Sequence, residues 1–410
     1  MRQGKKYGTH IHPFHCEGSD YISCRKLELG ICFFRLVSKK QQLLTKIMIG
    51  NRLIFNSGIF ARMGIGNILK EAHRLRLLST TSIQSQCRHK NRARRALMYV
   101  PGSDEKKLKK IPSLNSDCVV LDCEDGVAAS QKGEARRLIR EVLDNSEIDF
   151  GRSERTVRVN SVDSGLCLAD LEEILSVKNL PSCILIPKLE NLDHTKWFVE
   201  KTNSILKDRN LKEKLDLIFF VESAMAILNL KEITEGSIKI CQKSHFEPAG
   251  IVFGSDDYYA SIGALRSNDA SEIAFARQYV VTVAKAYHLQ AVDVVYIDFK
   301  DQKGLIKQAM QGAAMGYTGK QVIHPVQVSI CHEAFSPSLK QIEWARKLVE
   351  EYKKHQESGK GAFVFRECMI DRPVLLQAEN ILAVAEFLSK PSESDSNEDW
   401  KDNSKHTTKK

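Results

Sequence analysis

Residues 118–127 read CVVLDCEDGV, an apolar run followed by Asp122, Glu124 and Asp125 and then by a glycine. A continuous apolar run of this length is typical of a strand that is buried on both faces in a parallel sheet. Three carboxylates within four residues repel one another unless a cation or a cationic group lies beside them. A helix-capping turn is the simpler interpretation, because Asp and Glu suit a helix N-terminus. The rest of the chain decides between the two.

The same kind of run recurs along the chain after residue 95. The runs are LMYV at 97–100, CVVLD at 118–122, TVRVN at 156–160, CILIP at 183–187, LIFFV at 217–221, GIVFG at 250–254, AVDVVYI at 291–297 and KQVIH at 320–324. Helix-like segments lie between them, and eight such units in roughly 240 residues is the usual size of a (β/α)8 barrel. The sequence therefore predicts a TIM barrel, an α/β fold. A doubly wound open sheet is the alternative, but it normally carries a glycine-rich phosphate turn where this chain has VPGSDEKK.

Polar or charged residues stand at the carboxyl ends of the predicted strands, from the second strand to the eighth. They are Asp122 and Glu124, Arg158 and Asn160, Lys188 and Glu190, Glu222, Asp256 and Asp257, Asp298, and His324. In a (β/α)8 barrel these strand ends meet at one mouth, which is where the active sites of this fold lie. We therefore expect the side chains to converge on one site.

Glu222 and Asp257 follow the neighbouring fifth and sixth strands, so their carboxylates are expected side by side. Mg²⁺ is held by one or two carboxylates, with waters and substrate oxygens completing the octahedron. Zinc prefers His and Cys, which these strand ends mostly lack. The carboxylates of residues 122–125 then lie near a divalent cation, which makes their clustering favourable. Arg158 is suited to bind a substrate carboxylate or a developing oxyanion.

Charge separates a basic N-terminal segment from an acidic remainder. Residues 1–95 hold 19 Lys and Arg against 4 Asp and Glu, so the formal net charge of +10 leaves residues 96–410 at −5. A mildly acidic body argues against nucleic-acid binding. The stretch GNILKEAHRLRLLSTTSIQ at 66–84 can form a basic amphipathic helix, as mitochondrial presequences do, and a disordered basic tail is the alternative. Residues 1–47 fit a presequence less well, and we interpret them as an upstream extension of one that starts at Met48.

These observations divide the chain into four regions. We expect a mostly disordered leader with the presequence over 1–93, a catalytic barrel over 94–335, a C-terminal helical extension over 336–390 and a disordered polar tail over 391–410. The extension is predicted to hold two helices joined by the loop ESGKGAFVFRECMIDRP. No apolar run approaches the ~18 residues that a membrane span needs, so no membrane partner is expected.

Seven motifs resemble, in order, those of the citrate lyase β-subunit-like (HpcH/HpaI aldolase) family. They are LMYVPGSDEKKLKK, VLDCEDGVA, VRVNS, IPKLE, FVESA, GKQVIHPVQ and GKGAFVFRECMIDRP, and the resemblance covers about residues 94–389. It implies a Mg²⁺-dependent (β/α)8 lyase that acts on acyl-CoA thioesters in the mitochondrial matrix. The implied reaction is cleavage of citramalyl-CoA to acetyl-CoA and pyruvate by retro-aldol (Claisen-type) chemistry, in a homotrimer with shared active sites.

The resemblance also implies roles for individual residues. Glu222 and Asp257 match the magnesium ligands, and Arg158 matches the contact to the substrate carboxylate and carbonyl. The coenzyme A contacts are matched by Tyr99, Lys106 and Lys110, and further substrate contacts by Ile323 and His324. Asp371 matches a catalytic carboxylate that a neighbouring subunit delivers. Lys106 and Lys110 are four apart on a predicted helix and would share a face, where solvated surface charge is the alternative interpretation. For Asp371 the alternative is a cap of the following helix.

Two residues depart from the family pattern. Asp256 stands where relatives look to have Glu, which leaves open which of the adjacent aspartates binds the metal. Arg372 stands where they look to have Met, which places a cation beside Asp371.

Two other functions remain as alternatives: a malate or methylmalate synthase-type condensation of an acyl-CoA with a 2-oxo acid, and a non-catalytic acyl-CoA-binding protein. A non-catalytic acyl-CoA-binding protein has no need of Glu222, Asp257 and Asp371, so the presence of all three argues against that function.

Overall fold

Eight short runs rich in Val, Ile, Leu and Phe form the strands of a closed parallel barrel. They are β1 (Ala96–Pro101), β2 (Cys118–Asp122), β3 (Glu154–Arg158), β4 (Cys183–Ile186), β5 (Leu215–Val221), β6 (Phe246–Phe253), β7 (Gln290–Asp293) and β8 (Gly319–Val322). Neighbouring strands pair in chain order, and β8 closes the ring on β1, where Gln321 is the register partner of Leu97. The structure, a computed structural model, describes residues 92–145, 147–357 and 363–389.

Helices connect the strands and pack against the outside of the barrel. They are α1 (Glu105–Leu108), α2 (Lys132–Asp144), α3 (Cys167–Ile174), α4 (Leu192–Ile205), α5 (Ala224–Cys241), α6 (Ser255–Ile262), α7 (Ala274–Ala286), α8 (Gln302–Met315) and, after β8, α9 (Val326–Ala334). The strands are therefore buried on both faces, which explains their continuous apolar sequence. The predicted TIM barrel is confirmed, and the pairing of β8 with β1 excludes the open sheet.

Successive side chains of a strand lie on opposite sides of the barrel wall. On β2, Val119 and Leu121 pack in the core between strands and helices, whereas Cys118 and Val120 belong to the core inside the barrel. Asp122 is two residues beyond Val120 and therefore shares its inward direction. Since it is also the last residue of the strand, its carboxylate lies at the mouth. The alternation that buries the strand thus also places the polar residue at its end.

The seventh strand is shorter than its apolar sequence predicts. It ends at Asp293, whereas the run AVDVVYI extends to residue 297. The backbone carbonyl of Val295 accepts a hydrogen bond from Arg266 at 3.0 Å, and that of Tyr296 accepts one from Gln327 at 2.8 Å. Because these carbonyls bind side chains, the chain leaves the sheet early and forms part of the mouth.

A buried ion cluster around Arg94 closes the opposite, amino-terminal end of the barrel. The guanidinium donates to the Glu154 carboxylate at 2.6 and 2.7 Å, pairs with Asp216, and donates to Gln290 Oε1 at 3.1 Å. Its partners come from β3, β5 and β7. Burial opposes its charge, but the neighbouring Glu154 carboxylate keeps the pKa of Arg94 well above its ordinary value. Removing one member of such a buried pair costs about 3–5 kcal/mol, so Arg94 ties the segment before β1 to the barrel.

The C-terminal extension has a hydrophobic core of its own. Its two helices, α10 (Leu339–Glu357) and α11 (Arg372–Ser389), pack on each other, and the antiparallel hairpin of β9 (Phe363–Phe365) and β10 (Cys368–Ile370) joins them. The buried side chains are Ala345, Leu348, Phe363, Phe365, Leu375 and Ala378. Within the described ranges, no helix is long and apolar enough to cross a membrane. The leader predicted over 1–93, apart from its last two residues, and the tail predicted over 391–410 lie outside those ranges.

Candidate active site

The carboxyl ends of the strands surround a cavity of about 680 Å³, which is in the size range of small-molecule sites. Seven of the nine residues to which the family resemblance gives a role line it: Tyr99, Lys110, Arg158, Glu222, Asp257, Ile323 and His324. The other two, Lys106 and Asp371, do not line it. The structure therefore brings most of the predicted site residues together at one mouth.

Arg158, the last residue of β3, is held by Asp122 at the end of β2. Its Nε donates to Oδ1 at 2.7 Å and its Nη2 to Oδ2 at 2.6 Å, while Nη1 pairs with Glu124 Oε2 at 2.9 Å. Asp122 also accepts the backbone N–H groups of Glu124 and Gly126, at 2.9 Å each. The hydrogen bonds to Asp122 use two of the five guanidinium N–H groups, and Nη1 also lies 3.7 Å from Asp125 Oδ2. N–H groups that do not bind Asp122 can donate to a substrate oxygen. The clustered carboxylates of residues 122–125 are thus stabilised in part by Arg158.

Two aromatic rings fix the plane of the Arg158 guanidinium. Its central carbon lies 4.8 Å from the centroid of the Tyr99 ring and 5.7 Å from that of Phe220, distances at which cation–π attraction acts. The Tyr99 hydroxyl donates to Gln321 Oε1 at 3.1 Å, and Gln321 donates to the backbone carbonyl of Phe253. Burial raises the pKa of Tyr99 well above its ordinary value, so the phenol stays protonated. The arginine is therefore oriented before any substrate binds.

Glu222 and Asp257 lie at the ends of neighbouring strands and face the same cavity. Burial, together with the negative charges of Glu124 and Asp257, raises the pKa of Glu222 to about 8. Gly254, after β6, makes room for the Glu222 side chain, because a Cβ atom on residue 254 would lie 2.4 Å from Glu222 Cγ. A buried carboxylate whose pKa is raised partly by a neighbouring carboxylate is a favourable environment for a divalent cation.

This donor set fits magnesium. Mg²⁺ needs one or two protein carboxylates and takes its other ligands from water and substrate, whereas a site made of protein ligands alone needs three or more. Among the residues that the structure describes, no group of three or more His, Cys, Asp or Glu side chains is arranged to hold a metal ion. Glu222 and Asp257 therefore suit a site that substrate oxygens complete.

Lys188, directly after the β4 segment, lies between the carboxylates of the mouth. Its Nζ atom is 2.9 Å from Glu124 Oε1, 3.2 Å from Asp257 Oδ2 and 3.6 Å from Asp125 Oδ1. Its backbone N–H donates to Glu222 Oε2 at 3.2 Å. The negative charge around it, above all that of Glu124, raises its pKa above the ordinary lysine value even though partial burial opposes the charge.

Asp256 and Asp257 are adjacent in the first turn of α6 but have different partners. The Asp256 carboxylate pairs with Arg266, whose guanidinium also donates to the Val295 carbonyl. The Asp257 carboxylate instead pairs with Lys188. Because Lys188 also binds Glu222 through its backbone N–H, Asp257 belongs to the same cluster as Glu222 and is the better candidate for a metal ligand.

The lysines after β1 are arranged differently from the expectation. The helix α1 ends at Leu108, and a 3₁₀ turn that follows begins after Lys110, so Lys106 and Lys110 do not share a face of one continuous helix. Lys107 and Lys110 line the cavity, whereas Lys106 is exposed beside it. The expectation of a shared helical face was wrong, because the helix is only four residues long.

His324 and Ile323 form the rim of the cavity after β8. The imidazole of His324 stacks on Phe299 with a centroid distance of 4.4 Å and an interplanar angle of 10°. Its Nδ1 accepts the backbone N–H of Val326 at 3.3 Å, which leaves Nε2 to carry the proton of the neutral ring. Ile323 is partly exposed. This rim presents an aromatic surface with one hydrogen-bond donor.

Asp371 lies on the C-terminal extension, away from the cavity of its own chain. Its carboxylate accepts the backbone N–H of Val374 at 3.2 Å, so it caps α11. The side chain is exposed, as is that of the adjacent Arg372. Its cap position matches the alternative interpretation from the sequence, and it leaves a second carboxylate oxygen accessible.

The family model for HpcH/HpaI aldolase/citrate lyase matches residues 95–325, which is the whole barrel from β1 to β8. The chain belongs to this family. It is 51% identical over 301 residues to human mitochondrial citramalyl-CoA lyase, a match covering 73% of this chain and 88% of the relative. It is 32% identical over 295 residues to a (3S)-malyl-CoA thioesterase of Cereibacter sphaeroides, covering 72% and 95%.

A solved structure of a family relative has the same fold. This is CitE from Mycobacterium tuberculosis in complex with magnesium, acetoacetate and coenzyme A, and it matches with a TM-score of 0.56 and 27% identity. The match covers 71% of this chain and 97% of CitE. The resemblance of the seven motifs to the HpcH/HpaI family is therefore confirmed.

Four residues of this HpcH/HpaI barrel contribute to the site although the sequence assigned them no individual role, and of these only Lys188 was among the strand-end residues expected at the mouth. They are Lys107, Lys188, Phe299 and Gln321. For Lys188 a signal existed, since it stands directly after the fourth strand in the motif IPKLE. For Gln321 the signal was a polar residue within an apolar strand. Lys107 and Phe299 carried none, because their positions depend on where α1 ends and on how the chain leaves β7.

Proposed function

We propose that this protein cleaves citramalyl-CoA into acetyl-CoA and pyruvate. Its family and its relatives make it an acyl-CoA lyase that breaks a carbon–carbon bond. The observation that carries the specific reaction is the 51% identity to human citramalyl-CoA lyase over nearly three quarters of the chain. The geometry of the mouth supports it, because an oriented arginine lies close to two carboxylates that suit magnesium.

In this reaction the tertiary hydroxyl of the substrate loses its proton. At the same time the bond breaks between the carbon that carries this hydroxyl and the α-carbon of the thioester. The electron pair passes to the α-carbon of the acetyl thioester, giving an enolate that takes up a proton to become acetyl-CoA. The hydroxyl carbon becomes the ketone of pyruvate. N–H groups of Arg158 that do not bind Asp122 would bind the carboxylate and the oxygen that becomes this ketone, and so offset their charge.

Glu222 and Asp257 would hold a Mg²⁺ ion, which supplies Lewis-acid polarisation of the hydroxyl and carboxylate oxygens. The solved structure of CitE with magnesium, acetoacetate and coenzyme A supports this cofactor and this class of ligand. Tyr99 keeps Arg158 in place through its ring, and Lys110 and Lys106 would contact the phosphates of coenzyme A at the rim. Ile323 and His324, which follow the neighbouring strand β8, would contact the substrate.

Asp371 would transfer the proton between substrate and enolate from a neighbouring subunit of a homotrimer. Three features support delivery from another chain. Asp371 does not line its own cavity, its side chain is exposed, and the extension that carries it is built on a separate hydrophobic core. A helix the length of α10, about 19 residues, extends roughly 28 Å, which is long enough to present its following loop to an adjacent mouth.

We further propose that the protein acts in the mitochondrial matrix after removal of an N-terminal transit peptide. The mitochondrial location of the relatives supports the organelle, and the basic, acid-poor segment at 66–84 supports import. Fractionation with protease protection of intact and permeabilised mitochondria tests it. Recovery of the full chain from the cytosol would contradict it.

A second candidate adds thioester hydrolysis, so that the site condenses an acyl-CoA with a 2-oxo acid and releases the free acid. The similarity to a relative named (3S)-malyl-CoA thioesterase supports this second candidate function. One assay separates the two functions: the purified protein is incubated with Mg²⁺ and a panel of hydroxyacyl-CoA thioesters, and products are identified by mass spectrometry. Acetyl-CoA and pyruvate from citramalyl-CoA support the lyase, whereas free coenzyme A as the main product supports the hydrolytic alternative.

A further inference from the structure

Lys188 contacts both proposed magnesium ligands with different parts of the same residue. Its backbone N–H donates to Glu222 Oε2, while its side chain extends to Asp257 Oδ2 and Glu124 Oε1. The residue has a φ of +52°, in the left-handed region that a lysine rarely adopts. This backbone conformation is strained, and it directs the amide and the ammonium toward different carboxylates of one site.

Of the three ion pairs of the Lys188 ammonium, the one to Glu124 is buried, and those to Asp257 and, at 3.6 Å, to Asp125 are exposed. The Glu124 side chain is 6% exposed, whereas that of Asp257 is 46% exposed. An exposed ion pair is worth only about 0–1 kcal/mol, but breaking a buried one leaves an uncompensated charge and costs several times more. The contact to Asp257 can therefore be exchanged for another cation, while the contact to Glu124 is retained.

Lys188 also supplies the positive charge that lies beside the Asp257 carboxylate. In the part of the chain that the structure describes, Lys188 is the basic residue that forms an ion pair with Asp257. Arg158 is bound to Asp122 and Glu124, and Arg266 to Asp256, so neither is free to replace it.

We propose that Lys188 is a positioning residue that acts as an internal counter-cation, occupying Asp257 until a divalent cation displaces it. When Mg²⁺ binds, the ammonium leaves Asp257 and remains on Glu124. This inference rests on the magnesium site proposed above. It has two consequences: the ammonium competes with Mg²⁺ and weakens its binding, and it keeps the mouth ordered when no metal is bound.

The test compares Lys188→Met with Lys109→Met, which removes the same charge from an exposed residue directly after α1 that pairs with Glu105. Mg²⁺ binding to the metal-free full-length protein is measured by isothermal titration calorimetry. We expect at least fivefold tighter binding in Lys188→Met and less than twofold change in Lys109→Met. Thermal melting is the second measurement. Without metal, Lys188→Met should have a lower melting temperature than wild type, and Mg²⁺ should raise its melting temperature more than that of wild type.

The outcomes separate this inference from the proposed site. Equal or weaker Mg²⁺ binding by Lys188→Met, with normal binding by wild type, overturns the counter-cation role but leaves the metal site standing. Absence of Mg²⁺ binding by wild type overturns both. If Lys188→Met melts lower by the same amount with and without Mg²⁺, Lys188 has only a structural role. Lys188→Gln, with a shorter polar side chain, repeats the comparison in case the methionine disturbs packing.

Discussion

The guanidinium of Arg158 binds the carboxylate of Asp122 at two points, Nε to Oδ1 at 2.7 Å and Nη2 to Oδ2 at 2.6 Å. The two residues end the adjacent strands β3 and β2 and are register partners, so the barrel itself brings them together. Such a two-point pair fixes the direction of the N–H groups that remain free. The orientation of the arginine, and not only its charge, is therefore expected to matter for function.

Replacing Arg158 by lysine keeps the charge but removes the planar fork. We expect kcat/KM for citramalyl-CoA to fall by roughly 100-fold, because a single oriented donor to a developing oxyanion is commonly worth that much. Steady-state kinetics measures it, with circular dichroism to establish that the variant is folded. Activity within about threefold of wild type, in a folded variant, would show that charge alone suffices.

Glu222→Gln and Asp257→Asn keep side-chain volume and remove the charge that would hold the cation. We expect both to lose detectable Mg²⁺ binding and nearly all activity, with the barrel intact. The matched control is Asp256→Asn, because Asp256 pairs with Arg266 and not with the groups around the proposed metal position. It should bind Mg²⁺ within about twofold of wild type. If Asp256→Asn loses the metal and Asp257→Asn keeps it, the ligand assignment is reversed.

The pH dependence of metal-induced stability follows from Glu222. Its pKa is about 8 in the folded chain, against an ordinary value of 4.5 expected on unfolding. The stability that this raised pKa contributes to the metal-free protein is complete below about pH 4.5 and is lost as the pH rises toward 8. Mg²⁺ binds the ionised carboxylate, so the rise in Tm that it causes should grow between about pH 6 and pH 8.

Differential scanning fluorimetry with and without Mg²⁺ at several pH values measures this effect. Glu222→Gln serves as the control, because a glutamine does not titrate and its melting temperature should not respond to Mg²⁺ at any pH in this range. A wild-type Mg²⁺ effect that is constant across the range would mean that Glu222 is already ionised at the lower pH.

Mixing two inactive variants tests whether Asp371 serves a neighbouring subunit. Asp371→Asn and Glu222→Gln are dissociated together and reassembled. If sites are shared, random mixing gives about a quarter of the sites an intact Glu222 from one chain and an intact Asp371 from another, so about a quarter of wild-type activity returns. Each variant reassembled alone is the control. No recovery, after subunit exchange has been established by mass spectrometry, would make Asp371 a same-chain group or a helix cap.

The sequence predicted the barrel because its signals are local. Each strand is a short apolar run buried on both faces, and its terminal polar residue follows from the alternation of side chains, as Asp122 after Val120 illustrates. The sequence failed where a position depends on contacts between separate loops. Lys188 gains its importance from carboxylates that follow β2, β5 and β6, and the early end of β7 depends on side chains of Arg266 and Gln327 from other segments. Neither kind of contact leaves a periodic pattern.

The buried cluster of Arg94 with Glu154, Asp216 and Gln290 sets a limit on the N-terminal processing proposed above. A cut before Arg92 leaves the cluster whole, because Arg92 also pairs with Glu154 at 2.9 Å, whereas a cut after Arg94 would leave Glu154 buried without its cations. The C-terminal limit of the proposed leader is therefore set at the closed end of the barrel, far from the chemistry at the mouth.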